Sequence, residues 1–327
     1  MVVSVVYGGT PEERGPSEEN AAEIAAALKS RGYQVHLMAF DKDILSAIRA
    51  AGTDVVFLCV QGKGYGDGTL QAMLDAEGIP YTGSPMRAAC LINDKILCKL
   101  VYDRYKIPTP RWEILTEKAW AAGDFDFEAF GYPFVAKAPT QGGSFGIELI
   151  RSPRDLDRIG RVFVYDDPIL IERFIDGRYF TVGLYEGRDG LVILPPMESM
   201  NLDHPDPLKP GPADDSGREV NVFIGHYGAR PADLDQGEQA GLMKIAEQVF
   251  EATGARGYSR VDFMLAHQDH TPYVLENNAV PGLKKASLFP QEADLAGIVY
   301  EDMIEEILQA ALKREGSGEG GSQCLKT

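Results

Sequence analysis

The chain has 327 residues, 44% hydrophobic and 25% charged, an ordinary globular composition whose length suits two or three domains. A net charge of −17 excludes a general electrostatic affinity for nucleic acid. With no signal peptide and no apolar run near the ~20 residues of a membrane span, the expectation is a soluble, cytoplasmic protein whose four cysteines (Cys59, Cys90, Cys98, Cys324), lacking any CxxC pair, are buried small hydrophobes in a reducing compartment.

The β-branched run over residues 2–6 predicts a strand that stops at Gly8-Gly9. Ser17 sits in an N-cap position ahead of Glu18, Glu19 and an Ala-rich amphipathic helix to Leu28. Residues 33–38 and 55–60 read as further strands and 69–77 as a helix. Strand–helix alternation predicts a doubly wound parallel sheet in a first α/β domain, placed at 1–92. A helix then starts at Asn93-Asp94, and the two prolines of Ile107-Pro108-Thr109-Pro110 make an extended connector. Strands over 133–138 and 147–150, joined by Gln141-Gly142-Gly143-Ser144-Phe145-Gly146, precede an apolar strand over 169–175; these predict a small α+β domain at 93–186. Further strands lie near 181–185 and 191–195. The Pro/Gly/Asp-rich stretch 205–218 is expected to be a lid over an active site. A helix over 235–253, strands over 258–265 and 272–277, and a last helix to Arg314 complete a domain at 187–314. The Gly/Ser-rich tail 315–327 is expected to be disordered. No internal repeat is present.

Side chains two apart on a strand share a face, so Arg260 and Asp262 point together, as do Glu276 and Asn278. A symmetric hairpin centred on Asp269 would set Asp262 opposite Glu276 and Arg260 opposite Asn278. Two carboxylates and an amide oxygen suit Mg2+ held against substrate phosphates, and the guanidinium suits charge that develops in a transition state. A solvated polar face with ordinary cross-strand ion pairs is the other reading. Lys137 interrupts an apolar strand just before the glycine-rich loop, which can lay backbone N–H groups on phosphates; no Gly-Lys-Ser/Thr ends it, so it is not a Walker A loop. Lys95 offers a second cation. Glu172 ends Ile169-Leu170-Ile171, where it could accept from an adenine amino group. Gly8-Gly9-Thr10 lacks the third glycine of a dinucleotide fingerprint, with Glu13 and Arg14 where the turn should continue, so an NAD site is rejected.

In this order and spacing the motifs resemble the D-alanine–D-alanine ligase family of ATP-grasp enzymes over about residues 1–312. The resemblance rests on Gly8-Gly9-Thr10 with Glu13-Arg14 and Ser17, Gly66-Asp67-Gly68-Thr69-Leu70-Gln71, Tyr81-Thr82-Gly83-Ser84 and Asp94-Lys95. It continues through Lys137 with Gly142–Gly146, Ile171-Glu172, Arg260-Val261-Asp262, Glu276-Asn277-Asn278 and Pro281-Gly282 with Ser287-Leu288. It implies a three-domain ATP-grasp fold, α/β and α+β, with ATP gripped between the second and third domains. It also implies that Lys95, Lys137 and the loop residues Gly142, Gly143 and Ser144 bind phosphates, and that Glu172, Arg173 and the backbone near Ile175 hold adenine. Asp262, Glu276 and Asn278 would ligate two Mg2+ ions, with Mn2+ able to substitute. Arg260 and Gly282 would stabilise an oxyanion, Glu13 with Ser17 would hold the first amino acid, and Ser287 the carboxylate of the second. Dimers are common among such relatives.

Several positions depart from the family pattern. A first-domain histidine and glutamate are Gln61 and Gly66, the first of two loop serines is Gly143, and a ribose-binding glutamate is Tyr179. The lid's Lys-Tyr pair has no equivalent in 200–218, and Lys284-Lys285 replace small polar residues, which suggests either an acceptor subsite for extra negative charge or a solvated loop pair. Metal and phosphate groups are kept while amino-acid subsites change. The expectation is therefore a ligase with substrates altered from D-alanine, as in specialised peptide or antibiotic biosynthesis. The alternatives are a housekeeping D-alanine–D-alanine ligase and a non-catalytic nucleotide-binding protein.

Overall fold

The computed structural model describes residues 1–9, 11–60, 62–203, 206–209, 223 and 227–316. It opens with β1 (Val2–Gly8), α1 (Pro11–Ser30), β2 (Gln34–Ala39), α2 (Ile44–Ala50) and β3 (Val55–Val60), whose strands form a parallel sheet in the order β2-β1-β3. Every residue of β3 is buried, as expected of an unbroken apolar strand covered by helices on both faces. Two short helices follow, α3 (Thr69–Glu77) and α4 (Met86–Ile92).

Asp94 caps α5 (Lys95–Tyr105), its carboxylate accepting from Ile96 N–H at 2.8 Å. The chain continues through β4 (Trp112–Leu115), α6 (Glu117–Ala122), α7 (Phe127–Phe130), β5 (Phe134–Lys137) and β6 (Ile147–Ile150). A 3-10 turn over Pro153–Arg158, then α8 (Ile159–Val162) and β7 (Ile169–Arg173), finish an antiparallel sheet ordered β4-β7-β5-β6.

The third sheet is antiparallel. It uses β8 (Gly177–Gly187), β9 (Gly190–Ile193), β10 (Met197–Asn201), β11 (Tyr227–Pro231), β12 (Tyr258–Ala266) and β13 (Pro272–Asn278), in the order β11-β10-β8-β12-β13 with β9 also on β8. α9 (Gln236–Thr253) covers one face, and α10 (Leu288–Leu295) and α11 (Tyr300–Gly316) close the chain. No described helix is long and apolar enough to cross a membrane.

One core joins the first and third sheets: Val3, Val5 and Phe57 pack with Tyr185, Tyr258, Phe289, Ile304 and Leu308. At about 1.5–3 kcal/mol per buried large apolar side chain, this union is strong. Tyr258 also donates to the Leu58 carbonyl at 2.9 Å. The middle sheet keeps its own core of Phe134, Ala136, Ile150, Ile169 and Ile171 under its short helices.

Two sequence expectations need correction. α1 starts at Pro11, so Ser17 is inside the helix rather than at its N-cap. The middle sheet ends with Arg173 and β8 belongs to the third sheet, so the chain crosses between sheets at 174–176. The last helix runs to Gly316, close to the expected end. Cys90 is exposed on α4, whereas Cys59 and Cys98 are buried as expected. Thr10, Gln61, Cys324, residues 317–327 and most of the expected lid lie outside the described residues, as does the Glu13 side chain.

Candidate active site

β12 and β13 pair with the register expected from the sequence: Arg260 opposite Asn278 and Asp262 opposite Glu276, with a bulge just after Asp262. On the other side Thr181 faces Asp262 and Gly183 faces Arg260, so these residues share one sheet face. Asp262 is fully buried. Arg260 grips it bidentately, Nε to Oδ1 at 2.7 Å and Nη2 to Oδ2 at 2.8 Å, while the Tyr179 hydroxyl donates to Oδ2 at 2.7 Å and the Asn278 amide at 3.2 Å. Burial raises the Asp262 carboxyl above its ordinary value, with Arg260 opposing and Glu276 adding to the rise. Burial also works against the Glu276 charge, but Lys95, Lys137 and Arg260 outweigh it and hold the carboxyl at about 2.

Lys95, at the start of α5, lies 3.2 Å from Glu276 and donates to the Gln141 carbonyl at 2.7 Å, tying β13 to the glycine-rich loop. In that loop Ser144 takes a left-handed conformation with φ 64°, a strained state for a side-chain-bearing residue that recurs at functional turns. On the middle sheet Lys137 pairs with Glu172, and so does Lys99 of α5, which also donates to the Val274 carbonyl at 3.2 Å. Lys99 and Glu172 are almost fully buried. Burial opposes the Glu172 charge, yet Lys137 and Lys99 bring its carboxyl below the usual range; burial likewise lowers Lys99 despite Glu172 beside it. Beside Lys137 a small apolar patch forms from Val135, Leu149, Ile147 and Phe174.

These parts meet in a cleft of about 290 Å3, whose walls include Gly62, Gly66, Lys95, Gly142, Gly143, Arg260, Glu276, Asn278 and Gly282. A side chain at Gly282 would crowd Ser287, whose Oγ would lie 2.9 Å from a Cβ there. Ser287 caps α10 without a side-chain capping bond. The loop between Gly282 and Ser287 is gripped by α1: Asn20 Oδ1 accepts from Leu283 N–H at 3.0 Å and Lys284 N–H at 2.6 Å, and Glu23 accepts from Lys285 N–H at 2.6 Å.

Among the described residues no group of three or more His, Cys, Asp or Glu could hold a metal by itself. The donor set nevertheless fits Mg2+, which takes one or two carboxylates and fills its shell with phosphate oxygens and water. Asp262 and Glu276, opposite one another across β12 and β13, would supply those carboxylates.

The structure thus gathers Lys95, Lys137, Gly142, Gly143, Arg260, Asp262, Glu276, Asn278 and Gly282. Other expected site residues stand elsewhere. Both Glu172 oxygens are held by lysines, one by Lys99 and one by Lys137. The Tyr179 hydroxyl donates to Asp262, next to the expected metal ligands. Ser17 is fully buried, accepting from Gly8 N–H at 2.9 Å and donating to the Cys59 carbonyl at 2.6 Å, bonds that tie the end of β1 to β3. Lys284 pairs with Glu19 at 2.8 Å and Lys285 with Glu301 at 3.1 Å, so both lysines are committed to α1 and α11. Arg173 donates to the Tyr132 carbonyl at 3.3 Å, and Ile175 lies in the 174–176 connector. Sequence reasoning missed Lys99, although its place four residues after Lys95 puts both on one helix face.

A family model described as D-ala D-ala ligase C-terminus matches residues 101–205 and 219–309. The D-alanine–D-alanine ligase of Geobacter sulfurreducens is 33% identical over 97% of this chain and 96% of its own length. That of Halorhodospira halophila is 34% identical over 95% and 96%. A crystal structure of the Bacillus anthracis D-alanine–D-alanine ligase complexed with ATP superposes with a TM-score of 0.80 at 26% identity, covering 97% of this chain and 99% of that one. The VanG D-Ala:D-Ser ligase of Enterococcus faecalis shares the fold, with a TM-score of 0.79 at 20% identity over 95% and 99%.

Proposed function

Because the chain belongs to the D-alanine–D-alanine ligase family, we propose that it is an ATP-dependent, ADP-forming ligase that joins two amino acids or amino-acid-like substrates in the cytoplasm. The observation that carries this reading is the cross-strand set of Arg260, Asp262, Glu276 and Asn278, three of which line one cleft with Lys95. A pure nucleotide binder has no need of the arginine.

In this reading Lys95 and Lys137 hold the phosphates with the backbone of Gly142 to Ser144, and Lys99 keeps Glu172 and Lys137 in place. The adenine ring packs on the patch of Val135, Leu149 and Phe174, beside the 173–175 backbone. Asp262, Glu276 and Asn278 would hold Mg2+ ions, which neutralise charge on the transferring phosphoryl group when bound. Glu13 on α1 anchors the ammonium of the first amino acid and Ser287 the carboxylate of the second. A carboxylate oxygen of the first substrate takes the γ-phosphoryl group, releasing ADP. The amine of the second then attacks the carbonyl carbon, phosphate leaves with the C–O electron pair, and the nitrogen loses its proton. Arg260 and the Gly282 N–H stabilise the oxyanion formed on the way. Phosphate can leave where oxide cannot, which is why the phosphoryl step comes first.

The substrates differ from a pair of D-alanines in this proposal, and Gly66 supports it: it lines the cleft at a position where the family pattern has glutamate. Phosphate release with ATP and Mg2+ across paired D- and L-amino acids, with products identified by mass, tests both levels. A different best pair supports a specialised amide ligase, as in peptide or antibiotic biosynthesis. D-alanine as best substrate for both places overturns the altered-substrate reading in favour of cell-wall synthesis. Silence across the array overturns the ligase.

A further inference from the structure

Glu292 of α10 is fully buried, and its carboxyl meets the Thr181 hydroxyl and the Gly183 N–H of β8. No lysine or arginine forms an ion pair with it among the described residues, an arrangement that is costly for a carboxylate. Burial pushes the carboxyl up to about 8, so it keeps its proton at neutral pH while its oxygens accept from the Gly183 N–H and the Thr181 hydroxyl. Gly183 admits it: a Cβ there would lie 2.5 Å from Glu292 Oε2, 2.8 Å from Phe289 Cδ2 and 2.9 Å from Leu194 Cδ1.

The placement gives this group a task. Thr181 is the cross-strand partner of Asp262, and Gly183 that of Arg260, on the same sheet face. The helix that carries Glu292 begins directly after Ser287, beside Gly282. One short helix therefore runs from the anchor for the second substrate to the strand next to the catalytic arginine.

We propose that Glu292 is a positioning residue that fixes α10, and with it Ser287, at a set distance from Arg260 and Asp262. The role of Ser287 rests on the ligase reading; the anchoring of α10 does not. The acceptor amine must meet the reacting carbonyl within a few tenths of an ångström of the productive geometry, so a loosened α10 costs acceptor binding rather than ATP binding.

The full-length chain carrying Glu292→Ala, Glu292→Gln or Thr181→Val provides the test. Glu292→Ala is expected to speed amide exchange across α10 by about tenfold while α9 is unchanged. It should raise the KM of the second amino acid by about tenfold and leave that of ATP within about twofold. Glu292→Gln restores both readouts, because its amide oxygen accepts from Gly183 N–H and its NH2 bonds to the Thr181 oxygen, reversing the direction of the hydroxyl's bond without breaking the contact. Thr181→Val moves both the same way by less, and serves if Glu292→Ala does not fold. Unchanged exchange in α10, equal shifts in the two KM values, or failure of glutamine to restore them overturns the proposal. A wild-type chain that turns over no amino-acid pair sinks the ligase reading instead, and leaves the exchange result to decide the anchoring.

Discussion

The two walls of the cleft carry opposite surpluses of charge. The side formed by the middle sheet and α5 has Lys99 and Lys137 around one buried carboxylate, Glu172, with Lys95 reaching across to Glu276. The wall formed by the third sheet has Asp262 and Glu276 around one guanidinium, Arg260. The chain as a whole bears −17, so neither surplus follows from composition. The separation assigns phosphate to one side and cations to the other, and it explains how a strongly acidic protein can hold a polyanion.

Breaking the acidic wall should have the largest effect. Asp262→Ala combined with Glu276→Ala is expected to lower ATP-dependent phosphate release by about 10³-fold or more with the fold kept by circular dichroism; a normal rate would remove the metal assignment. On the basic wall two lysines that share one carboxylate should behave differently. Lys137→Met should reduce kcat/KM for ATP by about 10²-fold, whereas Lys99→Met should act on stability, costing about 3 kcal/mol in denaturant unfolding because Glu172 stays buried with one partner. If the two variants match in both assays, the division between a ligand-facing and a supporting lysine fails.

A smaller effect concerns pH. The Glu292 carboxyl lies at about 8 in the folded chain against 4.5 ordinarily, so between those values the folded state binds more protons than the unfolded one. Stability contributed by this group is therefore full below 4.5 and is lost as pH rises toward 8. Thermal unfolding across that interval should show the decline, and Glu292→Gln should flatten it. The smallest change is expected from Lys284→Ala with Lys285→Ala. Partly exposed ion pairs contribute about 0–1 kcal/mol, so stability should shift by no more than that and the acceptor KM by less than about threefold. A larger KM rise would return these lysines to the substrate subsite.

The register of the β12–β13 hairpin was legible because two short-range rules suffice: side chains alternate on a strand, and a hairpin pairs residues symmetric about its turn. The alternation of strand and helix over the first sixty residues was legible for the same reason. Long-range partnerships were not. Lys99 and Glu172 are 73 residues apart and Thr181 and Glu292 are 111 apart, and no local pattern announces either meeting. Ser17 misled because serine before two glutamates has the chemistry of an N-cap; the helix instead begins at Pro11 and runs through Pro16. The partners of Lys284 and Lys285 were equally illegible, because charge alone does not reveal direction and Glu19 and Glu301 lie on distant helices.

The single core shared by the first and third sheets also governs how such a chain could be recombined. Its middle sheet, with a separate core, is the portable piece: a graft there from a relative would disturb mainly the cleft. The flanking segments form a matched pair that must be inherited together, since a chimera exchanging only the first would set a foreign helix and sheet against Tyr258, Phe289 and Ile304. Evolution of new acceptors through this scaffold is accordingly easier by changing cleft residues one at a time than by trading whole ends.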